Sequence, residues 1–224
     1  MARMLALSLA AALAMAESPA HALKPFTAQS EASFKGISAG GAMTLSRQGQ
    51  RWTYAMGLRN AMANLSQATV FEEAAGRYRP LGGSDRSTYL MKTRAVVTLY
   101  NWKGMQARWT GDVKPQRAGP VAMQPGDMDA LLVNLALVRD IGFGRTSMSY
   151  RLLENGKAKS MTYRVAGREK ITVGGRALDT TRVVQSAGSK QTAVWIAPGV
   201  PTPVRIVQRE DGSEVFRLQL TSWR

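Results

Sequence analysis

One segment limits the fold more than any other, because residues 130–138 are apolar at every position except Asn134. An amphipathic helix carries one apolar stripe, so a helix that is apolar on nearly all sides must be enclosed by the rest of the protein. We expect Asp127 to be the N-cap of this helix, Asp129 to lie in its first turn and Gly142 to end it. The rest of the chain must therefore supply a surface that surrounds the helix.

Most of the remaining sequence alternates apolar and polar residues over short segments that end at turn residues, which is typical of antiparallel β-strands. The dipeptides Asn155-Gly156, Gly174-Gly175 and Asp211-Gly212 favour two-residue hairpin turns. We count about ten to thirteen strands, too many for an open sheet to stay flat. The predicted fold class is mainly β, with a large curved antiparallel sheet or partly open barrel that wraps one central apolar α-helix.

The first 22 residues have the features of a secretory signal peptide. Arg3 provides the positively charged n-region, and residues 4–16 form the apolar run. Ala20 and Ala22 flank His21 in an A-x-A cleavage site. A cut after Ala16 is the alternative. We therefore expect export to the periplasm, with cleavage of the signal peptide.

The expected domain organisation follows from this cut. Residues 1–22 are predicted to be the signal peptide and residues 23–224 a single β-rich domain, with a crossover and the helix at residues 112–141. No later run of about twenty apolar residues suggests a membrane span, so we expect a soluble mature protein. The chain has no cysteine, which excludes disulfides and a lipid anchor on an N-terminal cysteine.

Residues 36–40 match the G-x-S-x-G pattern of a serine-hydrolase nucleophile elbow, with Ser38 as the nucleophile. Such a serine needs a base, and the single histidine, His21, lies in the predicted signal peptide. The residues that follow alternate like a strand, which favours a glycine-rich turn or bulge between strands. A Ser-Lys arrangement is the alternative. We predict no catalytic, cofactor-binding or metal-binding residues, since the usual nitrogen and sulfur ligands are also missing.

The charge indicates which partners the protein attracts. Thirty Lys and Arg residues stand against fifteen Asp and Glu residues, for a formal net charge of +15. In an exported protein this favours anionic lipid, lipopolysaccharide or another envelope component over nucleic acid. The alternative is that scattered basic residues only keep the β surface soluble.

Four segments of the chain resemble a known family: residues 23–47, 63–90, 123–140 and 192–211. They are similar to exported bacterial proteins of the domain-of-unknown-function 3108 family. This resemblance implies no catalytic residue. A more distant likeness, of fold alone, links the predicted sheet and helix to the periplasmic lipoprotein carriers LolA and LolB. The likeness implies a soluble carrier, because one of these two carriers has a lipid anchor on a cysteine and this chain has no cysteine.

Three functions remain open from the sequence. The first is a non-enzymatic periplasmic binding or carrier protein with an apolar or amphiphilic ligand that has anionic groups. Its candidate groove residues are Leu131, Leu135 and Val138, which share a helix face, and Trp195. The second is an interaction module for envelope polyanions or a protein. The third is a hydrolase with two carboxylates, which the sequence favours least because adjacent Glu72 and Glu73 point to opposite faces of a strand.

Overall fold

The computed structural model describes residues 22–74 and 76–224 of the chain. Within them it has fourteen strands, one α-helix and a short 3₁₀ helix at Pro115–Arg117. The strands and the α-helix are, in chain order, β1 (Phe26–Phe34), β2 (Ile37–Gln48), β3 (Arg51–Arg59), β4 (Ala63–Ala74), β5 (Arg77–Tyr89), β6 (Lys92–Asn101), β7 (Gln106–Gly111), β8 (Val121–Ala122), α1 (Ala130–Gly142), β9 (Ser147–Glu154), β10 (Lys157–Val173), β11 (Arg176–Ala187), β12 (Lys190–Ile196), β13 (Arg205–Glu210) and β14 (Ser213–Trp223). The strand count is slightly above the sequence estimate.

All fourteen strands belong to one antiparallel sheet. Its order is β8-β7-β6-β5-β4-β3-β2-β1-β14-β13-β12-β11-β10-β9, so two meanders, β1 to β8 and β9 to β14, join where β1 pairs with β14. No strand pairing between β8 and β9 closes the sheet in the described chain. The expected mainly β class, with a large antiparallel sheet, is therefore confirmed.

Turn chemistry explains where the hairpins reverse. Asn155 and Gly156 have φ values of 49° and 71°, and Asp211 and Gly212 have values of 51° and 79°. Positive φ at both central positions is the requirement of a type I′ turn, which matches the twist of the flanking strands. These hairpin turns lie where the sequence predicts them.

The glycine-rich segment of the first hairpin lies in the turn after β1 and in β2. Ser38 lies on β2, where it pairs with Ser33 of β1, and it does not lie on a strand-to-helix turn. A Cβ atom at Gly41 would lie 1.8 Å from the carbonyl oxygen of Gly57, so this close approach of two backbones requires glycine. Of the residues in the G-x-S-x-G match, only Gly36 lies in the turn between the strands, whereas residues 37–40 pair regularly with β1 as part of β2.

The helix begins later than the sequence predicts. Asp129, and not Asp127, is the N-cap residue, and its side chain accepts a hydrogen bond of 2.8 Å from the backbone N–H of Leu132. The expectation for Asp127 is wrong because Met128 pairs with the sheet: it forms backbone hydrogen bonds with Arg151 and Leu153 on β9. Those bonds keep the chain in a strand-like conformation until Asp129.

The helix packs against β3, β4 and β5 from one half of the sheet and against β9 and β12 from the other. One helix touches both halves only if the sheet curves around it, so the predicted enclosure is confirmed. Seven of its residues are buried: Leu131, Leu132, Val133, Leu135, Ala136, Leu137 and Asp140. No helix within residues 22–74 and 76–224 combines the length and apolar character needed to cross a bilayer.

The segment between β8 and α1 brings the two edges of the sheet together. Val121 pairs with β7 at one edge, and Met128 forms a parallel bridge with Leu152 of β9 at the other. Arg151 donates a hydrogen bond of 3.2 Å to the carbonyl oxygen of Ala122. A second apolar cluster, which includes Trp109 and Leu153, fills the space between these edges.

Candidate functional site

A cavity of about 790 Å³ lies between the C-terminal half of α1 and the sheet. This volume is within the range of small-molecule binding sites. The helix contributes Leu135, Val138 and Ile141, while the sheet contributes apolar residues that include Leu45 and Ile196. The walls are therefore mainly apolar, which suits an apolar part of a ligand.

The loop between β12 and β13 forms another wall, at residues 197–201. The residue that follows, Thr202, is fully buried, and its hydroxyl lies 3.1 Å from the hydroxyl of Tyr54. Thr202 also donates to the sulfur of Met43 at 3.4 Å. Burial raises the pKa of Tyr54, so the phenol stays protonated and can keep this bond. These contacts anchor the loop to the core and keep the wall in place.

Three exposed cationic residues stand at the mouth of the cavity: Lys24, Arg168 and Arg224. Reciprocal backbone hydrogen bonds of 3.0 Å between Thr27 and Arg224 bring the end of the chain to the start of β1. No ion pair forms on these three side chains within the described chain. The one acidic residue of the lining, Asp179, is paired with Lys170 at 2.7 Å. The mouth is therefore positively charged.

A fourth cation of the lining, Arg139 of α1, already has partners. Its guanidinium lies 3.0 Å from Asp140, donates to the carbonyl oxygen of Gly76 at 3.1 Å, and stacks over the ring of Tyr78 at 4.7 Å. Burial raises the pKa of Tyr78 to about 12, although the nearby Arg139 lowers it. Tyr78 thus contributes a neutral ring to the wall, and Arg139 holds that ring in position.

The structure separates the predicted groove residues. Leu135 and Val138 line the cavity. Leu131 shares their helix face but lies about 6 Å further along the helix axis from Leu135. It lines a second, more polar pocket of about 110 Å³ beside Thr69 and Asp129.

Trp195 does not belong to the cavity lining. Successive side chains of a strand point to opposite faces, and Ile196 is the residue of this pair that lines the cavity. The indole N–H of Trp195 donates to Glu169 at 2.6 Å, and its ring lies beneath Arg205. Of the predicted cleavage residues, Ala20 lies outside the described residues, while Ala22 is exposed at the cavity mouth.

The mouth cations and the loop at residues 197–201 are the site components that sequence reasoning missed. Lys24, Arg168 and Arg224 belong to three separate parts of the chain, and only the strand pairing brings them together. The proline- and glycine-rich segment at residues 197–203 was the available signal, because such a segment between two strands predicts an irregular loop.

Glu72 and two other acidic residues of the sheet, Asp85 and Asp112, have structural partners. Glu72 forms a salt bridge with Arg79, Asp85 lies 3.7 Å from Arg94, and Asp112 accepts from the backbone N–H of Ala95 at 2.7 Å. Among residues 22–74 and 76–224, no three His, Cys, Asp or Glu side chains come together as a metal site requires.

Comparisons with known proteins show a family but no activity. A comparison with functionally curated proteins gave no significant match. One solved structure with a detectable match is described as "Structure of PNGF-II in C2 space group"; it is 12% identical, with a TM-score of 0.32, over 89% of this chain and 27% of that chain. A similarity this low indicates neither a fold nor a function for this chain, and the likeness to LolA and LolB stays a prediction. The family model for "Protein of unknown function (DUF3108)" matches residues 29–221, so the chain belongs to the DUF3108 family.

Proposed function

We propose that the protein is a non-enzymatic binding or carrier protein of the bacterial cell envelope, with an amphiphilic ligand that has an anionic group. The observation that carries this proposal is the cavity of about 790 Å³, whose walls are mainly apolar and whose mouth has three cations without an ion pair in the described chain. An apolar chain and an anionic head match these two parts of the site.

The apolar chain would lie against Leu135, Val138 and Ile196. Removal of apolar surface from water is the main source of affinity here, at about 25 cal/mol per Å². The anionic head would lie among Lys24, Arg168 and Arg224, which stay in contact with water. Salt screens charges at such a mouth, so the cations contribute less affinity and more selectivity for anionic ligands.

Export to the periplasm is part of the proposal, and the signal-like sequence of residues 1–22 supports it. The predicted cut after Ala22 would leave Leu23 as the first residue. Leu23 lines the cavity and packs against the main core. Its new α-ammonium group would then add a further positive charge at the mouth.

A binding assay with a fluorescent fatty acid tests the site. Val138→Phe fills space inside the cavity, so it should weaken probe binding about tenfold or more while the protein stays folded. Val97→Phe is the matched control, since Val97 is exposed on β6 and does not belong to the cavity lining. No binding by the wild type, or equal losses in both variants, would refute the proposed cavity function.

The charge at the mouth is tested in the same assay. The pair Lys24→Gln and Arg168→Gln should weaken binding of the fatty acid but not of a neutral alcohol with the same chain. Lys103→Gln with Lys114→Gln removes equal charge from exposed positions outside the cavity lining and should leave both affinities unchanged.

A further inference from the structure

The tips of three neighbouring β-hairpins form an exposed apolar surface at the other end of β1 from the cavity. These tips connect β1 to β2, β3 to β4, and β5 to β6. The six strands are neighbours in the sheet, so the three tips lie side by side. Six large apolar residues are exposed there, and we call them the tip surface: Phe34, Ile37, Met62, Tyr89, Leu90 and Met91. Only three other large apolar residues in the described chain are comparably exposed.

Direct hydrogen bonds join the three tips into one surface. The backbone N–H of Leu90 donates to the carbonyl oxygen of Met62 at 2.8 Å, which links the third tip to the second. The side-chain amide of Asn60 donates to the carbonyl oxygen of Ser38 at 2.8 Å, which links the second tip to the first hairpin. The exposed apolar side chains therefore cluster on one end of the molecule.

The third tip departs from ordinary turn chemistry. Leu90 has a φ of 53°, and Lys35 of the first tip and Met105 have values of 47° and 50°, whereas the other hairpin turns give this conformation to glycine, asparagine or aspartate. Leu90 is 63% exposed, and the next residue, Met91, is 98% exposed. A leucine at positive φ costs stability, as does the exposure of two large apolar side chains to water. Strain retained at an exposed position points to a role in binding.

The charge around the tip surface identifies the partner. Exposed Lys35, Arg59 and Lys92 lie within or directly beside the three tips. The tip segments 34–37, 59–63 and 88–93 contain no Asp or Glu. Lys35 also lies over the ring of Phe34, at 5.8 Å from the ring centroid. Apolar side chains next to cations match the interface of an anionic lipid bilayer, where the chains enter the acyl boundary and the cations meet headgroups.

We infer that the tip surface docks the protein on anionic lipid bilayers. β1 has nine residues, so the tip surface and the cavity mouth are separated by about 25 Å along this strand. A protein docked by its tips would hold the cavity mouth away from the bilayer, open to other components of the envelope. This inference does not depend on the cavity having a ligand.

Flotation with vesicles of phosphatidylglycerol and phosphatidylcholine tests the inference. The double variant Leu90→Asn and Met91→Ser removes both apolar side chains and places asparagine at the positive φ, so thermal stability should be equal or higher. Its binding to vesicles should fall about tenfold or more relative to the wild type. Val97→Ser with Leu99→Asn is the matched control, because it removes two exposed apolar side chains from β6 outside the tips. The control should bind as the wild type does.

A charge series separates lipid docking from protein docking. Lys35→Gln and Lys92→Gln should each weaken vesicle binding about fivefold at low salt, whereas Lys103→Gln should not. Absence of wild-type binding to these vesicles would overturn the inference and leave a protein partner as the occupant of the tips. Equal binding to vesicles of phosphatidylcholine alone, or equal losses in the tip and control variants, would also overturn it.

Discussion

Arg151 on β9 forms a salt bridge of 2.5 Å with Asp127, whose side chain is only 1% exposed. The same carboxylate oxygen accepts the backbone N–H of Gln124 at 2.8 Å, while its other oxygen has no hydrogen-bond partner in the described chain. Arg151 also reaches the carbonyl oxygen of Ala122. One arginine thus holds the segment between β8 and α1 against the edge of the sheet.

Loss of this arginine should destabilise the protein strongly, because it leaves a buried carboxylate without its counter-ion. We expect Arg151→Met to lower the free energy of unfolding by about 3 kcal/mol. This is the lower end of the usual cost of breaking a buried ion pair, because the Arg151 side chain is itself 27% exposed. Urea unfolding measures this cost. The double variant with Asp127→Asn should recover part of the loss, and Arg164→Met, on the exposed surface of β10, should cost less than about 0.5 kcal/mol. A small cost for Arg151→Met would show that Arg151 does not hold this segment against the sheet.

Two leucines of α1 should respond differently to truncation. Leu132 is fully buried and outside the cavity lining, so Leu132→Ala should cost about 2 to 5 kcal/mol and leave binding of a fluorescent fatty acid unchanged. Leu135 already borders the cavity, so Leu135→Ala should cost about half as much but should change probe affinity. Thermal unfolding and probe titration on both variants make this comparison. Equal costs, with unchanged probe affinity in both variants, would argue against an open cavity beside the helix.

Processing after Ala22 should leave Leu23 as the first residue of the exported protein. Leu23 packs against the core beside the cavity, so a cut one or more residues later would remove an apolar contact. N-terminal sequencing of protein from the periplasmic fraction measures the cleavage position. Recovery of a chain that starts at Met1 would refute export by this signal.

Local patterns predicted most of the fold. Alternation and turn dipeptides such as Asn155-Gly156 depend on neighbouring residues, and these hairpins lie where expected. The start of the helix was mispredicted because Met128 pairs with β9, more than twenty residues further along the chain. Asp127 and Asp129 are two positions apart and both are of a residue type favoured at the N-cap, so the expectation of Asp127 could be corrected only by this long-range pairing.

The site was less predictable than the fold for a related reason. Residues Ala193 to Ile196 are all buried, so alternation in the sequence could not show that Ile196 and not Trp195 lines the cavity. The mouth depends on the pairing of β1 with β14, which brings Arg224 next to the segment that contains Lys24. Such contacts between distant segments have no local signal in one sequence.

Native mass spectrometry of the protein, isolated gently from its own periplasm, tests the proposed carrier function most directly. The proposal predicts that the wild type has an added mass from an amphiphile with an anionic group. The same measurement on Val138→Phe should give mainly the mass of the protein alone, since the phenyl ring occupies cavity space. A wild type that shows only its own mass, and that gains none when incubated with a long-chain fatty acid, would contradict the proposal.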